Sequence, residues 1–137
     1  VTAIADIPRP PMVRRWALVS LRIVTTAVVV LILLQAGLAG SFLSGNYESL
    51  TAHARNGGLL VAALLVQTIV AALAWRLSSG MVQPVIASLA QAVAATTLIP
   101  LGQHRILTAH VPLAVLLTIG VVIVAACSWR PGGNETR

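Results

Sequence analysis

The chain has 137 residues, of which 58% are apolar and 9% charged, against about 45–50% and about 25% in soluble domains. So few charges cannot cover a soluble fold of this size, which excludes an ordinary soluble domain, a disordered chain and a disulfide scaffold and points to an integral membrane protein. The net charge of +6 comes from nine Arg and no Lys, placed at segment ends and not in the patch that nucleic-acid binding needs; the single cysteine, Cys127, excludes an intrachain disulfide and a Cys-based metal cluster.

In chain order, the first twelve residues, with Pro8, Pro10 and Pro11, read as an irregular arm. A first span is predicted over about 16–41, opened by Arg14, Arg15 and Trp16, with Arg22 snorkelling to the interface. It is too long for the apolar core of a signal peptide and carries a charge, so cleavage is not expected. Further spans are predicted over about 53–75, 81–101 and 106–129, each long enough for a hydrocarbon core that takes about 20 apolar residues. Pro84 falls in the first turn of the third span. Pro112 in the fourth removes a bond to the Thr108 carbonyl unless the helix starts there. The tail from Pro131 to Arg137 reads as short and solvated.

The apolar runs show no polar alternation, which argues against a barrel. The links Gly40–Thr51, Arg76–Gly80 and Leu101–Arg105 are short. Short links join antiparallel neighbours, so the expected fold is all-α, a single-domain up-down four-helix bundle in the membrane. Arg9, Arg14, Arg15, Arg22, Arg76, Arg130 and Arg137 share one side; Arg55 and Arg105 lie on the other. That asymmetry places both termini in the cytoplasm of a bacterial-type plasma membrane. Trp16, Trp75 and Trp129 all fall at the same inner interface, where an indole is most stable.

A repeat runs through the chain. Leu50-Thr51-Ala52-His53 recurs as Leu107-Thr108-Ala109-His110, and Gln35-Ala36 recurs upstream as Gln91-Ala92. Each unit is a span carrying a Gln, a short outer loop, and a Leu-Thr-Ala-His opening the next span. The bundle is therefore expected to consist of two two-helix repeats related by an axis along the membrane normal. His53 and His110 then lie at similar depth on diagonal helices, where side chains of facing helices build cofactor sites.

Two opposed imidazoles suit a six-coordinate haem iron better than zinc, which takes four ligands; only His104 and Glu48 lie near enough to add to them. Arg55 and Arg105 sit where haem propionates can pair with guanidinium groups. Gly37, Gly40, Gly57, Gly58, Ala92, Ala94 and Ala95 leave room for a macrocycle or serve plain helix contact. His104 has no counterpart in the repeat and reads as a loop residue. Gln35, Gln67, Gln83 and Gln91 read as interhelical hydrogen-bond partners, and Met81 and Cys127 as packing.

The string Leu33-Leu34-Gln35-Ala36-Gly37-Leu38-Ala39-Gly40, followed by His53-Ala54-Arg55, resembles the first helix pair of a heme A synthase half. Leu89-Ala90-Gln91, then Leu107-Thr108-Ala109-His110 and Ala114, resembles the second pair, and the likeness covers roughly residues 25 to 125. In that family two four-helix halves each hold a haem-type cofactor between histidines on the second and fourth helices. The resemblance implies that role for His53 and His110. This sequence holds one half, and the family's catalytic Glu, three residues before the second-helix His, is here Leu50. What the resemblance implies is therefore the haem-holding half-fold and not oxidation of a haem methyl.

No phosphate loop, Ser-His-Asp set or paired carboxylate is present, and the acids are only Asp6, Glu48 and Glu135. No catalytic set is evident. The expected function is a b-type cytochrome-like membrane protein, with His53 and His110 as iron ligands and Arg55 and Arg105 beside the cofactor, for electron transfer or haem handling with a redox or membrane-complex partner. The alternatives are a cofactor-free small subunit or assembly partner of a larger membrane complex and, third, an oxidoreductase acting on quinol.

Overall fold

The computed structural model describes residues 11–78 and 82–130. The arm over residues 1–10, Met81 and the tail over 131–137 lie outside the described residues. Four α-helices account for the fold: α1 (Pro11–Leu43), α2 (Glu48–Ser78), α3 (Gln83–Gln103) and α4 (Leu107–Trp129). All four are long and apolar enough to cross a membrane.

The helices exceed the predicted spans because an apolar window marks hydropathy alone, while the helix runs on until it meets a cap. α1 starts at Pro11, which corrects the arm of twelve residues. Proline is favoured in a first helical turn, since its missing N–H is one that has no helical partner there anyway. α2 likewise starts at Glu48, and Pro84 opens α3 as expected. At Pro112 the chain takes the continuous helix: α4 begins five residues earlier and passes through it.

Each helix packs against its neighbours in sequence, and α4 closes against α1; among the described residues the diagonal pairs α1/α3 and α2/α4 make no close backbone approach. The result is a four-cornered ring. The described chain ends, Pro11 and Arg130, lie at one end, the terminal end. The α1–α2 and α3–α4 turns lie at the other, the turn end.

The two turns close alike. Gly45 and Arg105 both adopt positive φ, 99° and 57°. In each turn the next N–H reaches back five residues, Asn46 to the Ser41 carbonyl and Ile106 to the Leu101 carbonyl. Glycine takes this conformation freely; arginine costs about 1–2 kcal/mol there.

The core takes a pair of residues from every helix: Val28 and Ile32, Leu60 and Leu64, Ala92 and Ala95, Leu117 and Val121. Each pair is three or four residues apart, the spacing of one helix face. The alanines on α3 let the larger side chains of the other helices close the centre. The outward faces stay apolar, with Val30, Leu33, Leu65, Val93 and Leu116 exposed.

Deep in the bundle, Gln67 is 1% exposed and its Nε2 donates to Ser88 Oγ at 2.9 Å and to Gln91 Oε1 at 3.2 Å. This joins α2 to α3, the role expected of the glutamines. Gln67→Leu removes both bonds and leaves Gln91 Oε1 without its donor. The variant is expected to lose about 0.6–2 kcal/mol of stability, read by reversible unfolding in mixed detergent–SDS micelles; wild-type stability would remove this pair from the forces that hold the bundle.

Candidate functional site

His53 lies five residues into α2 and His110 three residues into α4, both near the turn end. Their imidazoles face across the core with ring centroids 6.5 Å apart and planes at 48°. Both side chains are half-buried. The structure therefore brings together the two residues that the repeat singles out.

The tautomer of His53 follows from a chain of contacts starting at a pure acceptor. The Leu31 carbonyl takes a bond at 3.0 Å from Asn56, so the Asn56 atom there is the Nδ2 donor. That nitrogen also donates to Gln35 at 2.6 Å, which makes its partner Oε1. The other end of the Gln35 amide is then Nε2, a donor, 3.0 Å from His53 Nε2. His53 Nε2 must accept, so Nδ1 carries the proton and donates to the Gln35 carbonyl at 3.1 Å. Near the other ring, His110 Nδ1 lies 3.0 Å from the Leu98 carbonyl and donates to it. His53 thus carries its proton on Nδ1 with the lone pair on Nε2, and His110 likewise donates through Nδ1.

This is the tautomer that a metal centre ligated through Nε2 uses, with the other ring nitrogen donating to a backbone carbonyl. At His53 the lone pair is engaged by the Gln35 amide, a bond that ligation would have to replace. Buried Asn56, 4% exposed, keeps one atom without a partner, Oδ1. Among the described residues no group of three or more His, Cys, Asp or Glu side chains could hold a metal ion, so a closed four-ligand zinc set does not form around the pair.

The flanking residues divide. Arg55 is exposed and follows His53 by two residues, about 200° round α2, so it points away from the core. Arg105 is exposed in the α3–α4 turn, and His104 is the exposed C-cap residue of α3. Glu48 is exposed at the first position of α2, on another face from His53.

The small residues divide too. Gly37, Gly40 and Gly58 are exposed with open space where a Cβ would stand; they face outward and line no slot, a correction to the sequence expectation. Ala92 and Ala95 pack in the core. Cys127 is exposed, which corrects its reading as a packing residue. The glycine that matters for the pair was not singled out: a Cβ on Gly102 would stand 3.1 Å from His110 Cε1 and 3.3 Å from Nδ1. Asn56 was missed as well. Its signal was available, an amide three residues after His53 on the same helix face.

Gln35 and Gln91 match in sequence but not in place. Gln35 meets His53, whereas Gln91 meets Gln67 and lies against Gly120. Measured from the left-handed residue of each turn, Gln35 is ten residues back and Gln91 fourteen. That is about one helical turn deeper. Comparison with known protein families, curated proteins and solved structures finds no match for this chain.

Proposed function

We propose that this chain is a membrane haem protein that holds one b-type haem between His53 and His110. The observation that carries the reading is the opposed pair of Nδ1-protonated imidazoles, with ring centroids 6.5 Å apart. The two Nε2 atoms are the ones that would hold the iron, with Nδ1 of each ring already donating to a backbone carbonyl. When bound, haem would supply one-electron redox chemistry tuned by the imidazoles of His53 and His110 and by the apolar surroundings.

The chain's own residues supply the rest. The Gln35 and Leu98 carbonyls fix the imidazole tautomers. Arg105, in the turn just before α4, would pair with a propionate; Arg55 fits that role less well because it turns away from His53. We read the bundle as spanning a bacterial-type plasma membrane as two two-helix repeats. Its terminal end lies in the cytoplasm, since Arg14, Arg15, Arg22, Arg76 and Arg130 lie there against Arg55 and Arg105 at the turn end. Electron transfer or haem handling at the outer face follows from the depth of the pair.

One observation favours a second reading, a cofactor-free subunit of a larger membrane complex: Gln35 already satisfies both ring nitrogens of His53. Titration of the purified full-length chain with haemin separates the two. The haem reading expects saturation near one haem per chain with the Soret and α bands of a low-spin centre. A folded chain that stays colourless would leave the subunit reading.

A further inference from the structure

We propose that the seam between α1 and α4 at the terminal end binds the phosphate of an anionic phospholipid, with Arg22, Arg15 and Arg130 as its partners. Arg22 is half-buried in this seam. Its Nε donates to the Ser128 carbonyl at 2.9 Å, and its guanidinium lies 5.4 Å from the centre of the Trp129 ring. Neither contact supplies a counter-charge. The four remaining N–H groups of the guanidinium have no hydrogen-bond partner among the described residues.

The only carboxylate among the described residues is Glu48, at the opposite end of the bundle. A half-buried cation at the edge of a hydrocarbon layer demands an anion. Asp6 and Glu135 lie outside the described residues.

α4 ends at Trp129, level with Arg22, while α1 runs eleven residues further to Pro11, about 16 Å. Arg15 is seven residues before Arg22, two turns away on the same face of α1, and is exposed. Arg130 leaves α4 in an extended conformation and is also exposed. Arg22, Arg15 and Arg130 thus cluster along one end of the α1–α4 seam, with the Trp129 indole beside Arg22.

The indole is held in place. Trp129 Nε1 donates to Thr26 Oγ1 at 3.2 Å, and Thr25 Oγ1 and Ser128 Oγ lie 3.0 Å apart. A guanidinium presents its N–H groups as a fork that matches two phosphate oxygens. Next along the two helices, Ile23 of α1 and Val122 and Ile123 of α4 are exposed and apolar, a flank on which acyl chains can lie. That apolar flank favours a phosphodiester headgroup over a free phosphate ion.

The test uses the full chain in detergent, with native mass spectrometry against dioleoyl-phosphatidylglycerol, dioleoyl-phosphatidylcholine and inorganic phosphate. One phosphatidylglycerol is expected to stay bound in preference to phosphatidylcholine. Each arginine removed should weaken binding by about fivefold. Arg22→Gln removes the central partner. The Arg15→Gln/Arg130→Gln double variant spares the Ser128 and Trp129 contacts, so it reports on the headgroup even where the first variant unfolds. Equal binding of the two lipids, or unchanged binding by the double variant, would overturn the site. Displacement of the lipid by millimolar inorganic phosphate would assign it to free anions and overturn the headgroup proposal. The site rests on the bundle spanning a bilayer; release of the chain from membranes by alkaline carbonate marks failure of that premise alone.

Discussion

His53→Ala and His110→Ala are each expected to abolish the low-spin haem spectrum and to weaken haem binding by more than about 100-fold, since even the partners that merely orient a ligand cost about 10–100-fold when removed. The two variants should differ in the haem-free protein. His53 accepts from Gln35 Nε2 and donates to the Gln35 carbonyl, so its loss leaves a half-buried amide donor unpaired at a cost of about 1–3 kcal/mol. His110 makes one bond, to the Leu98 carbonyl inside α3, which keeps a helical partner when the imidazole is gone. Thermal unfolding of the haem-free variants should therefore place His53→Ala below His110→Ala. His104→Ala serves as the control: an exposed residue at the end of α3, it should leave spectrum and stability unchanged. A low-spin spectrum that survives in either ligand variant would show that the iron is held elsewhere.

Much of the fold is legible because charge is scarce. With 9% charged residues, each Arg and each short polar break marks a boundary, and four apolar windows give four helices in the expected order. The ends are less legible. Hydropathy falls where the apolar run ends, but hydrogen bonding continues: Glu48 to Ala52 and Pro11 to Arg15 are helical beyond the predicted spans. The bounds of α3 and α4 lie closer to the predicted spans, because Pro84 and the His104–Arg105 turn stop them locally.

The candidate site is legible in its principal pair and opaque in its setting. Leu-Thr-Ala-His at both turns identifies His53 and His110, and four-helix topology places them on diagonal helices. The repeat also gives the two glutamines the same part, and there the structure departs from it. The turns centred on Gly45 and Arg105 are sixty residues apart, whereas the Leu-Thr-Ala-His strings are 57 apart and the glutamines 56. Four residues of slip put Gln91 one turn deeper than Gln35, against Gln67 instead of against a histidine. A side chain's partner depends on register between helices, which a match in sequence leaves open. Asn56 and Gly102 escaped notice for the same reason: an amide and a glycine acquire meaning only when the neighbouring helix is in place.

Gly102→Ala is expected to lower haem affinity by about 10–100-fold while leaving the bundle folded. The new methyl would stand 3.1 Å from His110 Cε1 and 3.3 Å from Nδ1, closer than comfortable contact, so one of the two groups must yield. α3 is held by its own hydrogen bonds and by Ala92 and Ala95 in the core. The imidazole is the part that moves, off the Leu98 carbonyl and out of line with His53. Two effects on stability oppose each other. Alanine favours a helix over glycine by about 0.8–1.0 kcal/mol in the interior, less in a last turn such as this one. Losing the His110–Leu98 bond costs about 0.5–1.5 kcal/mol. Thermal stability should thus shift little, and the change should fall on the haem: a smaller low-spin fraction and faster haem loss to an acceptor apoprotein. Gly58→Ala provides the comparison, because its Cβ meets nothing within 4 Å; the full interior helix gain should come there with wild-type haem affinity. Equal haem affinity in the two glycine variants would mean that α3 does not hold His110 in position.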